Sequence, residues 1–161
     1  MIFVMLGTQD KQFKRMIRMV DYACEKGIIK EEVIIQAGIT KQKVKSDLIK
    51  MFSFISQTEL DEYLDKARIV ICHAGVGSIL NALKKNKTTI VMARLKKFRE
   101  HVNDHQLDIL ENFSKQGYII KLEDETRLDK ALKKAETFVP KKYKSNTENF
   151  NNKLLEIVNN L

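Results

Sequence analysis

The chain has 161 residues, enough for one domain that buries a core without disulfides or metals. Lysine and arginine total 29 against 21 acidic residues, a formal charge of +8, which favours nucleic acid, an anionic membrane or a phosphorylated ligand as partner. Tryptophan is absent and no recognisable binding motif interleaves aromatic with basic residues, so we expect no nucleic-acid partner. Cys24 and Cys72 lie far apart without metal-ligand spacing, which predicts reduced core thiols in a cytoplasmic protein.

The first half of the chain alternates predicted strands and helices. The opening apolar run ends at Gly7 and is too short for a signal-peptide core or a membrane span. Ser56 and Glu59 have the spacing of a capping box, which predicts the start of a helix. In chain order the pattern predicts a strand at 2–6, a helix from 13 up to Gly27, a strand at 33–38, a short third strand at 51–55, a helix from 56 to 67 and a strand at 69–72.

The second half continues the same alternation. It predicts a helix at 78–85, a strand at 89–93, a long polar loop at 94–103, a helix at 104–115, a strand at 118–121 and a helix at 125–137. Beyond the only proline, Pro140, apolar residues at helical spacing predict a final amphipathic helix: Leu154, Leu155, Ile157, Val158 and Leu161. We therefore expect an α/β fold, a single domain over 1–161 with a Rossmann-like open parallel sheet covered by helices on both faces, and a helical tail at 141–161.

The segment from Ile69 to Ser78 has the pattern of a phosphate site. Its apolar strand ends at His73 and leads into Gly75 and Gly77, which permit positive φ and close approach to the backbone at a helix start. Glycines in such a turn are as often purely structural. A dinucleotide fingerprint fails because position 80 is Leu, and neither a Walker-type Gly-Lys-Ser/Thr nor a Gly-x-Ser-x-Gly elbow occurs.

Four segments should converge at the carboxyl edge of the sheet, where ligands of such folds bind: 7–9, Gly38, 73–78 and the loop after Ala93. His73 could bind a phosphate or a sugar hydroxyl, act as a base, or be structural.

The densest polar cluster in the sequence, residues 101–106, follows the loop after Ala93. Asn103 and Gln106 there could form a simple helix cap, with Gln106 reaching back across the turn. His101 and His105 stand four apart but lack an obvious third ligand, so we expect no metal. A carboxylate and an amide presented by one turn also suit the vicinal hydroxyls of a sugar.

Taken in order, five segments resemble the C-terminal, nucleotide-sugar-binding half of GT-B glycosyltransferases of family 28. They are G-T-Q near the N-terminus, I-I-Q-A-G, F-S-F-I, H-A-G-V-G-S-I and H-V-N-D-H-Q, and the resemblance runs from Met1 to about Phe113. It is strongest to free-standing donor-binding subunits of two-component transferases. These include the PssE-like subunits of exopolysaccharide and capsule synthesis and the soluble subunit of the dolichol-linked N-acetylglucosamine transferase.

The resemblance implies a set of donor contacts by position. Phe54 or Ile55 would meet the uracil, and Asp104, His105 and Gln106 would read the donor sugar. The acidic ribose contact of the family is absent here, so either Asn81 takes that role or the ribose is recognised differently. The diphosphate turn would be formed by His73, Ala74, Gly75, Gly77 and Ser78, and the first loop facing the interdomain cleft by Gly7, Thr8 and Gln9.

The resemblance further implies a shared active site. A full GT-B enzyme has an N-terminal domain that binds the acceptor and the membrane, whereas this chain begins at the donor half. We therefore expect a membrane-anchored acceptor-binding partner and a peripheral position on the cytoplasmic membrane face. The apolar residues of the tail could clamp onto that partner or pack back on their own domain. The implied activity is hexose transfer from a UDP-sugar to a lipid-linked saccharide without a cofactor, with the base on the partner or at His73 or His105. The alternative is a non-catalytic accessory module that stabilises or stimulates a partner transferase.

Overall fold

The computed structural model describes residues 1–144, so the predicted amphipathic helix of the tail lies outside the described residues. Six strands form one sheet in the order β3-β2-β1-β4-β5-β6, and every neighbouring pair in it is parallel. The strands are β1 Ile2–Met5, β2 Val33–Gln36, β3 Ile49–Phe52, β4 Ile69–His73, β5 Thr88–Met92 and β6 Ile120–Leu122. The predicted Rossmann-like open parallel sheet is confirmed.

Four α-helices of the described residues connect strands, a fifth follows β6, and together they cover both faces of the sheet. They are α1 Lys14–Glu25, α2 Gln57–Lys66, α3 Val76–Lys84, α4 His105–Lys115 and α5 Leu128–Ala135. Short 3-10 turns lie at Lys96–Phe98 and Glu125–Arg127. The Ser56 side chain accepts from Glu59 N–H and the Glu59 side chain from Ser56 N–H, so the predicted capping box is confirmed.

Alternation along the strands builds a separate core on each face of the sheet. In β1, Ile2 and Val4 pack with α1 and α5, whereas Phe3 and Met5 pack with α2, α3 and α4. All four β1 residues are almost fully buried, because a central parallel strand is covered on both sides. This arrangement places every strand's carboxyl end, and the loop that follows it, along one edge.

Three predicted elements differ from the structure. The third strand is Ile49–Phe52 rather than 51–55, because its pairing with β2 ends where Phe52 meets Gln36. α3 begins at Val76 rather than 78, because Gly75 already has extended backbone and serves as the N-cap. The helix predicted at 125–137 divides into a 3-10 turn and α5, since the Asp124 side chain caps the turn by accepting from Thr126 N–H.

The first residues of the predicted tail pack against the domain. Lys141 N–H donates to the Gly117 carbonyl at 3.0 Å, and the Tyr143 ring meets the Tyr118 ring edge-on with centroids 5.9 Å apart. Tyr143 also packs against the core that holds α2, α3 and α4. The described part of 141–161, residues 141–144, therefore lies on the domain's own surface.

Candidate functional site

The sheet order reverses at β1, which has β2 on one side and β4 on the other. β2 and β3 lie on one side of β1, and the chain then crosses over so that β4, β5 and β6 lie on the other side. The loops after β1 and β4 consequently diverge across a crevice at the carboxyl edge, where open α/β sheets bind ligands. Gly7 and His73, which belong to two different segments predicted at this edge, lie next to each other at the crevice.

The His73 ring occupies the space between two glycines. A Cβ atom on Gly75 would lie 2.1 Å from His73 Nε2, and one on Gly7 would lie 2.5 Å from His73 Cε1. Gly75 has a φ of −92° and does not use the positive φ that glycine permits; this position requires glycine because of the neighbouring ring. Gly7, by contrast, has a φ of +78° and needs glycine on both counts.

The N-terminus of α3 carries backbone donors that no described residue uses. The N-cap Gly75 provides no side-chain cap, and the first turn holds no acidic residue. The N–H groups of Val76, Gly77 and Ser78 have no hydrogen-bond acceptor among residues 1–144. Such a helix start attracts anions through its free donors and its dipole.

Gly77 leaves this helix start uncovered. It lies in the first turn of α3 rather than in the preceding loop, and it does not adopt the positive φ that glycine permits. A Cβ there would meet no atom within 4 Å, so the residue faces open space. Its missing side chain therefore exposes the neighbouring N–H groups instead of relieving an internal clash.

The environment of His73 keeps its imidazole neutral. Burial lowers the pKa of His73 to about 4, and the charges of Arg94 and His101 act in the same direction. The Met5 carbonyl lies 3.4 Å from Nδ1 and can only accept, which places the proton on Nδ1. The other nitrogen, Nε2, is then a hydrogen-bond acceptor beside Gly75.

Gln36 fixes the loops after β1 and β3, although sequence reasoning did not single it out. Its Oε1 accepts from Gly7 N–H at 3.2 Å, and its Nε2 donates to the carbonyls of Gly7 and Ser53, both at 3.3 Å. Gly38 approaches the same point, since a Cβ there would lie 2.4 Å from the Gly7 carbonyl oxygen. The one available signal was a lone amide at the end of an otherwise apolar strand.

The residues that follow β5 are held largely by one another. Gln106 is buried, and its Oε1 accepts from Arg94 N–H at 3.0 Å; it does not reach back across the helix turn as predicted. The helix begins one residue after Asp104, and Asn103 Oδ1 accepts from His105 N–H at 3.2 Å. Asp104 Oδ1 accepts from Lys96 N–H at 2.9 Å. Gln106 thus keeps only its amide nitrogen for a ligand.

The remaining predicted contacts lie on accessible surface. Phe54 is 60% exposed, with Ile55 half-buried beside it in the loop after β3. Asn81 is half-buried on α3. The His105 side chain is 77% exposed, with its Nδ1 3.6 Å from Asp108 Oδ2. Of the other predicted contacts, Thr8 is exposed, Gln9 and Ser78 are half-buried and Ala74 is buried.

A buried ion pair stands behind the loop after β5. Arg15 of α1 binds Glu100 through two nitrogens, at 2.8 and 3.0 Å, and also donates to the Ala93 carbonyl. Glu100 accepts in addition from Leu95 N–H. The pair joins residues 85 positions apart, so no sequence spacing could have revealed it.

A cavity of about 1240 Å³ opens beside this pair, between α1, the first loop and Phe98. His73 and the N-terminus of α3 do not line it. Among residues 1–144, no group of three His, Cys, Asp or Glu side chains is placed to hold a metal ion. No helix within the described part of the chain is both long and apolar enough to cross a membrane.

The sequence matches the glycosyltransferase family 28 C-terminal domain over residues 1–161. The chain belongs to this family. A curated relative, the UDP-N-acetylglucosamine transferase subunit ALG13 of Candida albicans, is 28% identical over 115 residues, which cover 71% of this chain and 35% of the relative. The human subunit of the same name is 38% identical over 60 residues, 37% of this chain and 5% of that protein. The chain thus spans about a third or less of these relatives.

Solved structures agree with the family assignment in fold. The glycotransferase of kitacinnamycin superposes with a TM-score of 0.64 at 14% identity, over 84% of this chain and 34% of that one. The solution structure of ALG13 superposes with a TM-score of 0.62 at 24% identity, over 89% of both chains. This family 28 domain therefore has the fold of one half of a GT-B glycosyltransferase.

Proposed function

We propose that this chain is the donor-binding catalytic subunit of a two-component glycosyltransferase, moving a hexose from a UDP-sugar to a lipid-linked saccharide in exopolysaccharide or capsule biosynthesis. The observation that carries the proposal is the open N-terminus of α3, with three free N–H groups at the point where the sheet order reverses in a family 28 domain. The related ALG13 proteins are named as subunits of a UDP-N-acetylglucosamine transferase, so UDP-N-acetylglucosamine is the first donor to test.

The diphosphate fits the helix start. Its oxygens would accept from the N–H groups of Val76, Gly77 and Ser78, and the missing side chain at Gly77 gives them access. His73 is half-buried beside this turn, and its Nε2 can accept from a sugar hydroxyl. The first turn of α3 lacks the carboxylate that would repel the anion.

The nucleoside and the sugar would then occupy the two sides of this turn. Exposed Phe54 and half-buried Ile55, which follow β3, would contact the uracil, and Asn81 would contact the ribose. On the other side Asp104, His105 and the free amide nitrogen of Gln106 would meet the sugar hydroxyls. Gly7, Thr8 and Gln9 would face the acceptor side of the cleft.

Transfer requires an acceptor oxygen to bond to the anomeric carbon while the bond from that carbon to the diphosphate oxygen breaks. Negative charge develops on the departing diphosphate, and the free N–H groups of α3 are oriented to stabilise it. Losing one preorganised donor of this kind costs on the order of a hundredfold in rate. The acceptor hydroxyl must also lose a proton to a base.

The geometry separates the two candidate bases. Neutral, buried His73 has its pKa lowered to about 4 and so binds a proton weakly, which suits a hydrogen-bonding contact to the donor. His105 is exposed next to the Asp108 carboxylate, which can orient the imidazole. We therefore assign the base to His105 or to the partner subunit.

The partner would supply the other half of the active site. We propose a membrane-anchored subunit that binds the acceptor and holds this chain at the cytoplasmic face of the membrane. Support comes from the relatives, which are named as transferase subunits, and from the net charge of +8, which suits an anionic membrane and a lipid diphosphate.

Gly77→Val tests the donor site with little risk to the fold, because the new side chain would extend into open space. We expect it to abolish UDP binding in calorimetry, and to abolish sugar transfer in membranes of cells that express the chain with its partner subunit. Lys130→Val, which places the same side chain on the exposed first turn of α5, is the matched control and should keep both.

The same experiment distinguishes the accessory module. If Gly77→Val bound no UDP yet supported full transfer with the partner, the chain would stimulate the transferase without binding its donor. If the wild-type chain bound UDP in neither its isolated nor its partnered form, the donor-site assignment would be wrong.

A further inference from the structure

Arg94 is the most buried charged side chain among the described residues, with 1% of its surface exposed. It lies two residues after the end of β5, and its Nη2 donates to the Leu6 carbonyl at 2.7 Å. Its Nη1 donates to the carbonyls of Lys11, at 2.7 Å, and Glu100, at 3.2 Å. Leu6 and Lys11 are the two ends of the first loop, so this one guanidinium fixes both.

The same residue fixes the loop that leads to α4. Its backbone N–H donates to Gln106 Oε1, and its guanidinium holds the Glu100 carbonyl. Two segments that the proposed function places at the substrate cleft, residues 7–9 and 104–106, are thereby tied to a single residue.

The charge on Arg94 has no carboxylate partner within residues 1–144. Glu100, the acid nearest in the network, gives both of its oxygens to Arg15. Its direct contacts are carbonyl oxygens and the face of the Phe13 ring, 4.8 Å from the guanidinium carbon, and its Nε is buried without a hydrogen-bond partner among the described residues. The carboxylates of Glu100 and Asp10 offset the charge only through space, without forming an ion pair with it. A buried charge left in this state is costly unless an anion balances it.

The positive charge of Arg94 acts on the turn at the start of α3, where the proposed function places the diphosphate. Burial lowers the pKa of Arg94 to about 10, which still leaves it charged at neutral pH. His73 responds to that charge, since Arg94 follows burial among the causes of its lowered pKa. A field that disfavours a proton on His73 favours a negative group bound at the same place.

Resting on the proposed function, we propose that Arg94 is a positioning residue of the donor site, which holds the first loop and the loop after β5 and supplies the buried positive charge that a bound diphosphate balances. Arg94 touches neither the sugar nor the phosphates in this role. It acts through the loops it holds and through its charge.

Titration of His73 tests the charge without any ligand. Arg94→Met removes the charge, and we expect the pKa of His73, followed by NMR of its imidazole, to rise by about half a unit or more. Arg94→Gln is a second neutral variant that keeps a donor for one of the carbonyls, and it serves if the Met variant does not fold. Arg94→Lys keeps the charge and should leave the pKa of His73 close to the wild-type value. The other charged neighbour of His73, His101, is unchanged throughout.

Binding of UDP compared with uridine tests the link to the diphosphate. We expect the neutral variants to weaken UDP binding about tenfold or more and uridine binding by much less, because uridine carries no charge. Arg68→Met, an exposed arginine before the amino end of β4, is the matched control and should change neither ligand.

The outcomes separate this proposal from the proposed function. An unchanged pKa of His73 in both neutral variants, or equal losses for UDP and uridine, would leave Arg94 as a purely structural clamp and overturn the proposal. Failure of the wild-type chain to bind UDP would instead refute the donor site, and with it Arg94's role there, while the His73 titration would still decide whether the charge of Arg94 reaches the turn.

Discussion

Gln36 binds Gly7 through both ends of its side-chain amide, accepting from the Gly7 N–H and donating to the Gly7 carbonyl. The backbone N–H and carbonyl of Gly7 are thus both paired, as they would be in a β-sheet, but their partner is a side chain of β2. The third bond, to the Ser53 carbonyl, brings in the loop after β3. One buried amide consequently sets the relative position of two loops at the carboxyl edge of the sheet.

Replacing this amide should loosen both loops. We expect Gln36→Leu to lower the free energy of unfolding by about 1–3 kcal/mol, because it strands the backbone groups of Gly7 and Ser53 without partners. Urea denaturation measures this loss, and hydrogen exchange at Gly7 should accelerate. Exposed Gln116→Leu is the control and should change stability little. Equal stability of the two variants would show that water replaces the Gln36 bonds at no cost.

The two glycines before and within α3 should respond oppositely to alanine. Gly75→Ala pushes a Cβ into the His73 ring and should destabilise the protein by about 1–3 kcal/mol, whereas Gly77→Ala extends into open space and should be neutral or stabilising by up to about 1 kcal/mol.

The double variant His73→Ala/Gly75→Ala identifies the cause. With the ring gone, the second substitution should cost much less than it does alone, which a double-mutant cycle from thermal or urea unfolding will measure. Additive effects would contradict the assigned clash.

His73 should make folding sensitive to mild acid. Its folded pKa of about 4 lies below the ordinary value of 6.5, so between these values the unfolded chain binds a proton that the folded chain does not. The free energy of unfolding should therefore fall by roughly 3 kcal/mol as the pH drops from about 6.5 to 4. Above pH 7 this destabilisation is absent.

The comparison with His73→Asn isolates that contribution, since carboxylates also titrate in acid. Asn retains a donor near the Nδ1 position but does not titrate, so the difference in unfolding free energy between the two proteins should shrink towards pH 4. A constant difference from pH 7 to pH 4 would mean that His73 is not kept neutral by the fold.

The pair of Arg15 and Glu100 should show the penalty of an unpaired buried charge. We expect Arg15→Met to destabilise by about 3–5 kcal/mol, because Glu100 is then left buried without its cation. Arg15→Met/Glu100→Gln should be more stable than the single variant, since the stranded charge is removed. The exposed pair of Lys50 and Glu32 is the control, and Lys50→Met should have a far smaller effect.

The alternation of strands and helices was predictable because it is written in local patterns. Apolar runs located each strand of the sheet to within a few residues, and the capping box at Ser56 fixed the start of α2. The start of α3 was misplaced because glycine spacing does not tell whether Gly77 lies before or inside a helix.

The interior of the site was less predictable, for a different reason. Arg94, Glu100 and Gln36 act through partners 5 to 88 residues away, mostly on other elements, and most of these contacts depend on the sheet order. Gln106 was predicted as a ligand contact, yet half of its side-chain amide is committed to Arg94. A polar residue adjoining a buried strand was the one sequence signal that Gln36 and Arg94 shared.

Because the candidate anion donors at the start of α3 are main-chain N–H groups, ordinary side-chain mutagenesis does not remove them. Groups that belong to the main chain survive every side-chain deletion, so Val76→Ala and Ser78→Ala would report tolerance at the very place where an anion is proposed to bind. Proline can remove one of these donors, because Val76→Pro deletes the N–H at the first helical position, where a helix accepts proline readily. Replacing the backbone amide by an ester at Gly77 or at Ser78 would remove the other two N–H donors, one in each variant.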